Sequence, residues 1–99
     1  MRQQIGSFSS HIINILGLKI EAGTPIYISD SNIAHMKSSH PDDFIKYGND
    51  IESIISNPDY VGKNTKDNSI EFTREYIINN EYVKVAVRIS STNAFAVTA

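Results

Sequence analysis

The 99-residue chain contains no cysteine. That absence excludes disulfides, iron-sulfur clusters and thiolate zinc sites. Its three histidines, His11, His35 and His40, form no HxxxH pair, so the material for a metal site is thin and neither a metal nor another cofactor is expected. No apolar run is long enough to span a membrane; IINILGL is short, and MRQQIGSFSS lacks the charged-then-apolar order of a signal peptide. A cytosolic site of action is the expectation. Charge of one sign is missing too, the formal net charge being -2. Residues 1–59 carry four Lys or Arg against seven Asp or Glu, and residues 60–99 carry five against four. Nonspecific duplex binding by counterion release needs many cations at once, so it should be weak, while a compact site for one phosphate is compatible with this balance. Repeats, low-complexity segments and a disorder signature are absent as well. The length suits one small domain.

Patterning divides that domain into a helical part over 1–58 and a sheet part over 59–99. SSHIINILGL reads as an amphipathic helix opened by Ser9 or Ser10 and closed by Gly17, with Ile12, Ile13, Ile15, Leu16 and Leu18 as its apolar residues. IYI at 26–28 is a brief strand, SDSN supplies N-cap candidates, and in the helix that follows Ile33 and Met36 face the core with His35 on a flank. Pro41 starts a third helix, with Asp42 and Asp43 where the helix dipole favours acid, and NDIESIIS continues to Pro58. From Tyr60 the period becomes two: DYVGK, a polar loop KNTKDN, SIEFTREYI, a tight turn at NNE, EYVKVAVRIS, and a last strand AFAVT. Helices followed by about four antiparallel strands predict an α+β domain whose helices cover one sheet face.

EYVKVAVRIS alternates Val83, Val85, Val87 and Ile89 with Tyr82, Lys84, Ala86, Arg88 and Ser90. The valine face should meet the helices. The other face has the ordinary character of a solvated antiparallel sheet, with Glu71, Glu75 or Glu81 as salt-bridge partners. It also has what a phosphodiester needs: Arg88 and Lys84 as cationic donors, with the hydroxyls of Ser90, Ser91 and Thr92 to orient the phosphate. Arg88 is the strongest member, since a guanidinium binds two oxygens and keeps its charge. Histidine is the residue type that titrates near neutrality, so His35 and His40 suit proton transfer to or from a ribose 2′-hydroxyl or a leaving oxygen. A residue just before proline also commonly serves as a cap, which is the competing role for His40. Tyr60 and Tyr82 fit base stacking or ordinary sheet packing. Lys63 and Lys66 belong to a loop that needs no function to explain it.

Several stretches together, IxxSNIxHMKxxHPDDFxKYG, ISNPDYVGKN and VAVRISS, resemble the phage-associated nuclease domains of the barnase/EndoU/colicin/RelE-like superfamily over nearly the whole chain. The resemblance implies that fold and a metal-independent endoribonuclease of phages, prophages, mobile elements or toxin tails, acting in the cytoplasm of a bacterial host cell. It implies RNA as substrate, transfer RNA included, and an immunity or host protein as a further partner. His35 and His40 match the histidines of the helix motif and Arg88, Ser90 and Ser91 match the RISS strand end; Lys84 matches a more variable position. Relatives continue with an arginine where this chain has Val97, which favours an attenuated or inactive module that binds RNA or a host protein. A structural piece of a larger phage protein is a third reading.

Overall fold

The computed structural model describes residues 2–66, 68–89 and 94–98, with side chains for 3–66 and 68–88. The order is β1 (Arg2–Ser7), α1 (Ser10–Leu16), β2 (Pro25–Ser29), α2 (Asp30–Ser39), α3 (Pro41–Tyr47), a 3-10 turn (Gly48–Asp50), α4 (Ile51–Ser56), β3 (Tyr60–Lys63), β4 (Ile70–Tyr76), β5 (Glu81–Ile89) and β6 (Ala94–Thr98). Local chemistry sets the helix ends. Ser9 Oγ accepts the Ile12 N–H at 3.2 Å, and Gly17 stops α1 in the left-handed region at φ 64, where the lack of a Cβ avoids strain. Ser29 and Asn32 satisfy each other's backbone N–H groups as a capping box at the start of α2. Pro41 occupies the first turn of α3, where no N–H is needed, with Asp42 and Asp43 beside it.

The six strands of the described residues join one sheet in the order β1-β2-β6-β5-β4-β3. The α+β class and the antiparallel run β3-β4-β5-β6 match the sequence reading. Two strands from within residues 1–58 extend that run: β2 lies parallel to β6, pairing Ile26 with Ala94 and Tyr27 with Phe95, and β1 lies antiparallel to β2. β1 is not visible in the pattern because, of its five residues with described side chains, only Ile5 is buried, so the strand shows no alternation to read. The β4–β5 turn also differs from expectation. It takes in residues 77–80, with Asn80 at φ 54, so that Ile77 and Ile78 stand exposed in the turn and do not extend the strand.

The core lies between the helices and one face of the sheet. Phe8, Ile26, Met36, Ile54, Ile70 and Val87 are fully buried, and Phe72 and Val85 nearly so. α4 crosses β1, β4 and β5 and supplies Ile51, Ile54 and Ile55 to that layer. Its fit against β1 is close: a Cβ at Gly6 would stand 3.1 Å from Ile55 Cγ2. The valine face of β5 meets the helices as its alternation required, whereas Ile15 in α1 is 58% exposed, off the buried stripe of a seven-residue helix. Among the described residues no helix is long and apolar enough to cross a membrane.

Candidate functional site

Strand register, more than any single motif, assembles the polar face. Tyr60 pairs with Thr73 and Thr73 with Lys84; Glu75 pairs with Tyr82; Gly62 pairs with Glu71 and Glu71 with Ala86. Since Phe72, Val85 and Val87 point into the core, alternation turns Tyr60, Glu71, Thr73, Glu75, Tyr82, Lys84 and Arg88 to the side away from the helices. The two tyrosine rings reach toward each other over β4, their centroids 6.4 Å apart at 49°, and remain 56% and 65% exposed. This gives an accessible aromatic surface beside cations.

Glu71 occupies the middle of that face. Its Oε2 is 3.4 Å from Lys84 Nζ and accepts from Asn64 Nδ2 at 3.3 Å. Its register partner Ala86 has the shortest side chain on this part of β5 and is buried beneath taller neighbours. Lys84 and Arg88 flank Ala86 on the same face, about 13 Å apart at the Cα level from strand rise alone, a span that two long side chains can close from both ends. Arg88 is exposed. A carboxylate between two cations, with stacking rings nearby, can hold an anionic substrate and accept a proton from it. Sequence reasoning named Glu71 only as a salt-bridge partner. The signal for more was the small Ala86 between two cations, but its value depends on which residue of β4 lies opposite.

The two histidines belong to the other layer. His35 is exposed on α2 next to buried Met36. His40 is half-buried between α2 and α3: its N–H donates to the Met36 carbonyl at 2.8 Å and its carbonyl accepts from the Phe44 N–H at 2.9 Å. It lines a cavity of about 210 Å³ together with Met36, Asp43, Phe44, Ile51 and the β5 segment from Tyr82 to Val85. Thus Tyr60, Tyr82, Lys84 and Arg88 come together on one sheet face, while His35 and His40 sit with the helices packed on the opposite face. Ser90, Ser91 and Thr92 lie outside the described residues.

A polar cluster ties α3 to the β4–β5 turn. The Tyr47 hydroxyl donates to Glu81 Oε2 at 2.8 Å and accepts from Asn79 Nδ2 at 2.9 Å, and Lys46 Nζ donates to Glu81 Oε1 at 3.1 Å. The Tyr47 hydrogen bond and then the Lys46 ammonium hold the Glu81 carboxyl below the ordinary glutamate range. Burial pushes the Tyr47 and Tyr76 phenols up. The Tyr76 hydroxyl donates to Asp50 at 3.1 Å, and its ring lies 4.4 Å from that of Tyr47. With its donors and acceptors matched to one another, the cluster acts as a structural clasp.

A family model described as phage-Barnase-EndoU-ColicinE5/D-RelE like nuclease3 matches residues 3–99. No curated protein and no solved structure matches the chain.

Proposed function

Because the chain belongs to this phage-Barnase-EndoU-ColicinE5/D-RelE like nuclease family, we propose that it is an endoribonuclease working without a metal on the exposed face of β3, β4 and β5. The observation that carries the proposal is the gathering of Glu71, Lys84, Arg88, Tyr60 and Tyr82 on that one face. Glu71 takes the proton of a ribose 2′-hydroxyl, whose oxygen attacks the adjacent phosphorus. Arg88 and Lys84 stabilise the added negative charge of the phosphorane, and Ser90, Ser91 and Thr92, following directly on β5, orient the phosphate. Departure of the 5′-oxygen leaves a 2′,3′-cyclic phosphate; the open face admits water to protonate it. Tyr60 and Tyr82 stack on the flanking bases. His35, which the sequence motif favoured as the proton carrier, belongs to the other layer, so this reading gives its role to Glu71. In this reading residues 1–99 act as one nuclease domain in the cytoplasm of a bacterial host, on transfer or messenger RNA, under the control of an immunity or host protein.

Incubating the chain with total RNA in excess EDTA, beside a Glu71→Gln, Arg88→Ala variant, tests this. Discrete fragments with 2′,3′-cyclic phosphate ends from the parent alone support it; fragments from both proteins, or none from either, overturn it.

One observation favours a second reading, an attenuated module that grips RNA or a host protein without cutting. Register pairs position 97 with Ala86, in the row that contains Glu71, and this chain has valine there. RNA binding without cleavage in the parent, with cleavage gained on Val97→Arg, would select it.

A further inference from the structure

Glycine weakens a strand, and within one it marks a bulge, a bend or a place where something approaches the backbone closely. Gly62 in β3 has no structural reason of this kind. Its φ lies outside the left-handed region, the β3–β4 register runs without a break from Tyr60↔Thr73 to Lys63↔Ile70, and a Cβ placed on it would meet no described atom within 4 Å. The other four glycines each answer to the fold: Gly17 and Gly23 have positive φ, while at Gly6 and Gly48 a Cβ would stand 3.1 and 3.2 Å from a side chain. Approach from outside the chain is what remains for Gly62.

The opening belongs to the polar face. Alternation puts Gly62 on the side of Tyr60, and register sets it directly beside Glu71. Same-face neighbours on a strand stand about 6.6 Å apart, so the missing side chain leaves a gap about 13 Å long between Tyr60 and Asn64 at the Cα level. A base is only about 3.4 Å thick, the rise of stacked nucleotides. Both ends of the gap are held. Tyr60 leans over β4 toward Tyr82, their ring centroids 6.4 Å apart, so its ring borders the gap without filling it. Asn64 Oδ1 accepts the Lys66 N–H at 2.8 Å, which turns Nδ2 to Glu71 Oε2 at 3.3 Å and fixes that wall. Charge then decides what enters. A phosphate over Gly62 would face the Glu71 carboxylate, whereas the cations Lys84 and Arg88 stand on β5, on the far side of Glu71.

We propose that Gly62 is the floor of a subsite for one unpaired nucleobase, set between Tyr60 and Asn64, with the neighbouring phosphate lying toward Lys84 and Arg88. The inference rests on the RNA reading of this face and adds a direction and a restriction to it. The nucleic acid crosses the strands from β3 to β5, and the nucleotide at Gly62 is single-stranded, since only an unstacked base can be splayed out onto a protein surface.

The test is fluorescence anisotropy with labelled heptadeoxyadenylate, which lacks the attacking 2′-hydroxyl and so reports binding alone, beside an abasic heptamer with the same phosphates. Gly62→Leu, which fills the gap, should weaken heptadeoxyadenylate by about tenfold to a hundredfold, the range for losing one stacked base, and should leave the abasic heptamer unchanged. A hairpin whose stem pairs the same adenylates should bind more weakly than the single strand. Gly62→Ala, a smaller change, should move the preference of the chain from heptadeoxyadenylate toward heptadeoxycytidylate, and this keeps the test decisive if circular dichroism finds Gly62→Leu unfolded. Equal weakening of both heptamers by Gly62→Leu, weakening of neither, a base preference untouched by Gly62→Ala, or a stem bound as tightly as the single strand overturns the subsite and leaves the RNA reading standing. No binding of any heptamer by the parent overturns both.

Discussion

Glu71 and Lys84 stand on neighbouring strands with Oε2 and Nζ 3.4 Å apart, and the same carboxylate oxygen accepts from Asn64. Their side chains are 23% and 45% exposed, so the pair is reachable from solvent. A pair of this kind contributes only about 0–1 kcal/mol to folding. Its interest is chemical: it orients a carboxylate beside a cation.

Glu71→Gln should therefore lower RNA cleavage by about a hundredfold to ten-thousandfold, the range for losing a general base, while the urea midpoint changes little. Cleavage rates and denaturation curves on the same preparation check this. A cleavage rate equal to that of the parent would remove Glu71 from the mechanism.

Arg88→Ala should cost about a hundredfold to a thousandfold in kcat, comparable with removing one preorganised donor to transition-state charge, with stability held within about 0.5 kcal/mol as for other surface changes. Arg88→Lys should recover only part, since an ammonium does not form the two-point contact of a guanidinium. Single-turnover kinetics separate this from weakened binding.

Tyr60→Ala and Tyr82→Ala should mainly weaken binding, each by about 1–3 kcal/mol if each ring stacks on a base. Their rings are 6.4 Å apart, so their effects should couple in a double-mutant cycle on oligonucleotide affinity. Strictly additive losses would mean that the rings act on separate parts of the substrate.

Acid and alkali should act on the clasp at Glu81 in opposite ways. Its carboxyl is held below the ordinary range by Tyr47 and Lys46, so the stability it supplies is present above that range and disappears as pH falls through the lowered folded value. The Lys46 amine is raised by Glu81, and the Tyr47 and Tyr76 phenols are raised by burial, so their share is present below the ordinary amine and phenol ranges and is lost as pH climbs through the raised folded values. Glu81→Gln should flatten the acid limb of stability against pH. Thermal melts across the acid range of the parent and this variant read that slope directly.

Much of the fold was legible because it rests on local rules. The caps at Ser9 and Ser29, the proline start at Pro41 and the alternation of Val83, Val85 and Val87 each depend on residues a few positions apart. β1 was not legible, because its single buried residue with a described side chain, Ile5, shows no period and its partner lies beyond α1. Three of the five residues of the candidate site were legible for the same reason. Tyr82, Lys84 and Arg88 share a face by strand period alone, whereas Tyr60 and Glu71 join them through the pairing of three strands.

The sequence by itself determined the capped helix starts, the alternating strands of the second half and which side of β5 is polar, since period and capping are short-range effects. Tertiary structure alone decided that Glu71 lies opposite Ala86 between two cations and that His35 and His40 fall in the layer behind the sheet. These relations come from register and layer packing, where a one-residue slip would exchange the two faces of a strand, and only burial of Phe72, Val85 and Val87 against the helices selects between them.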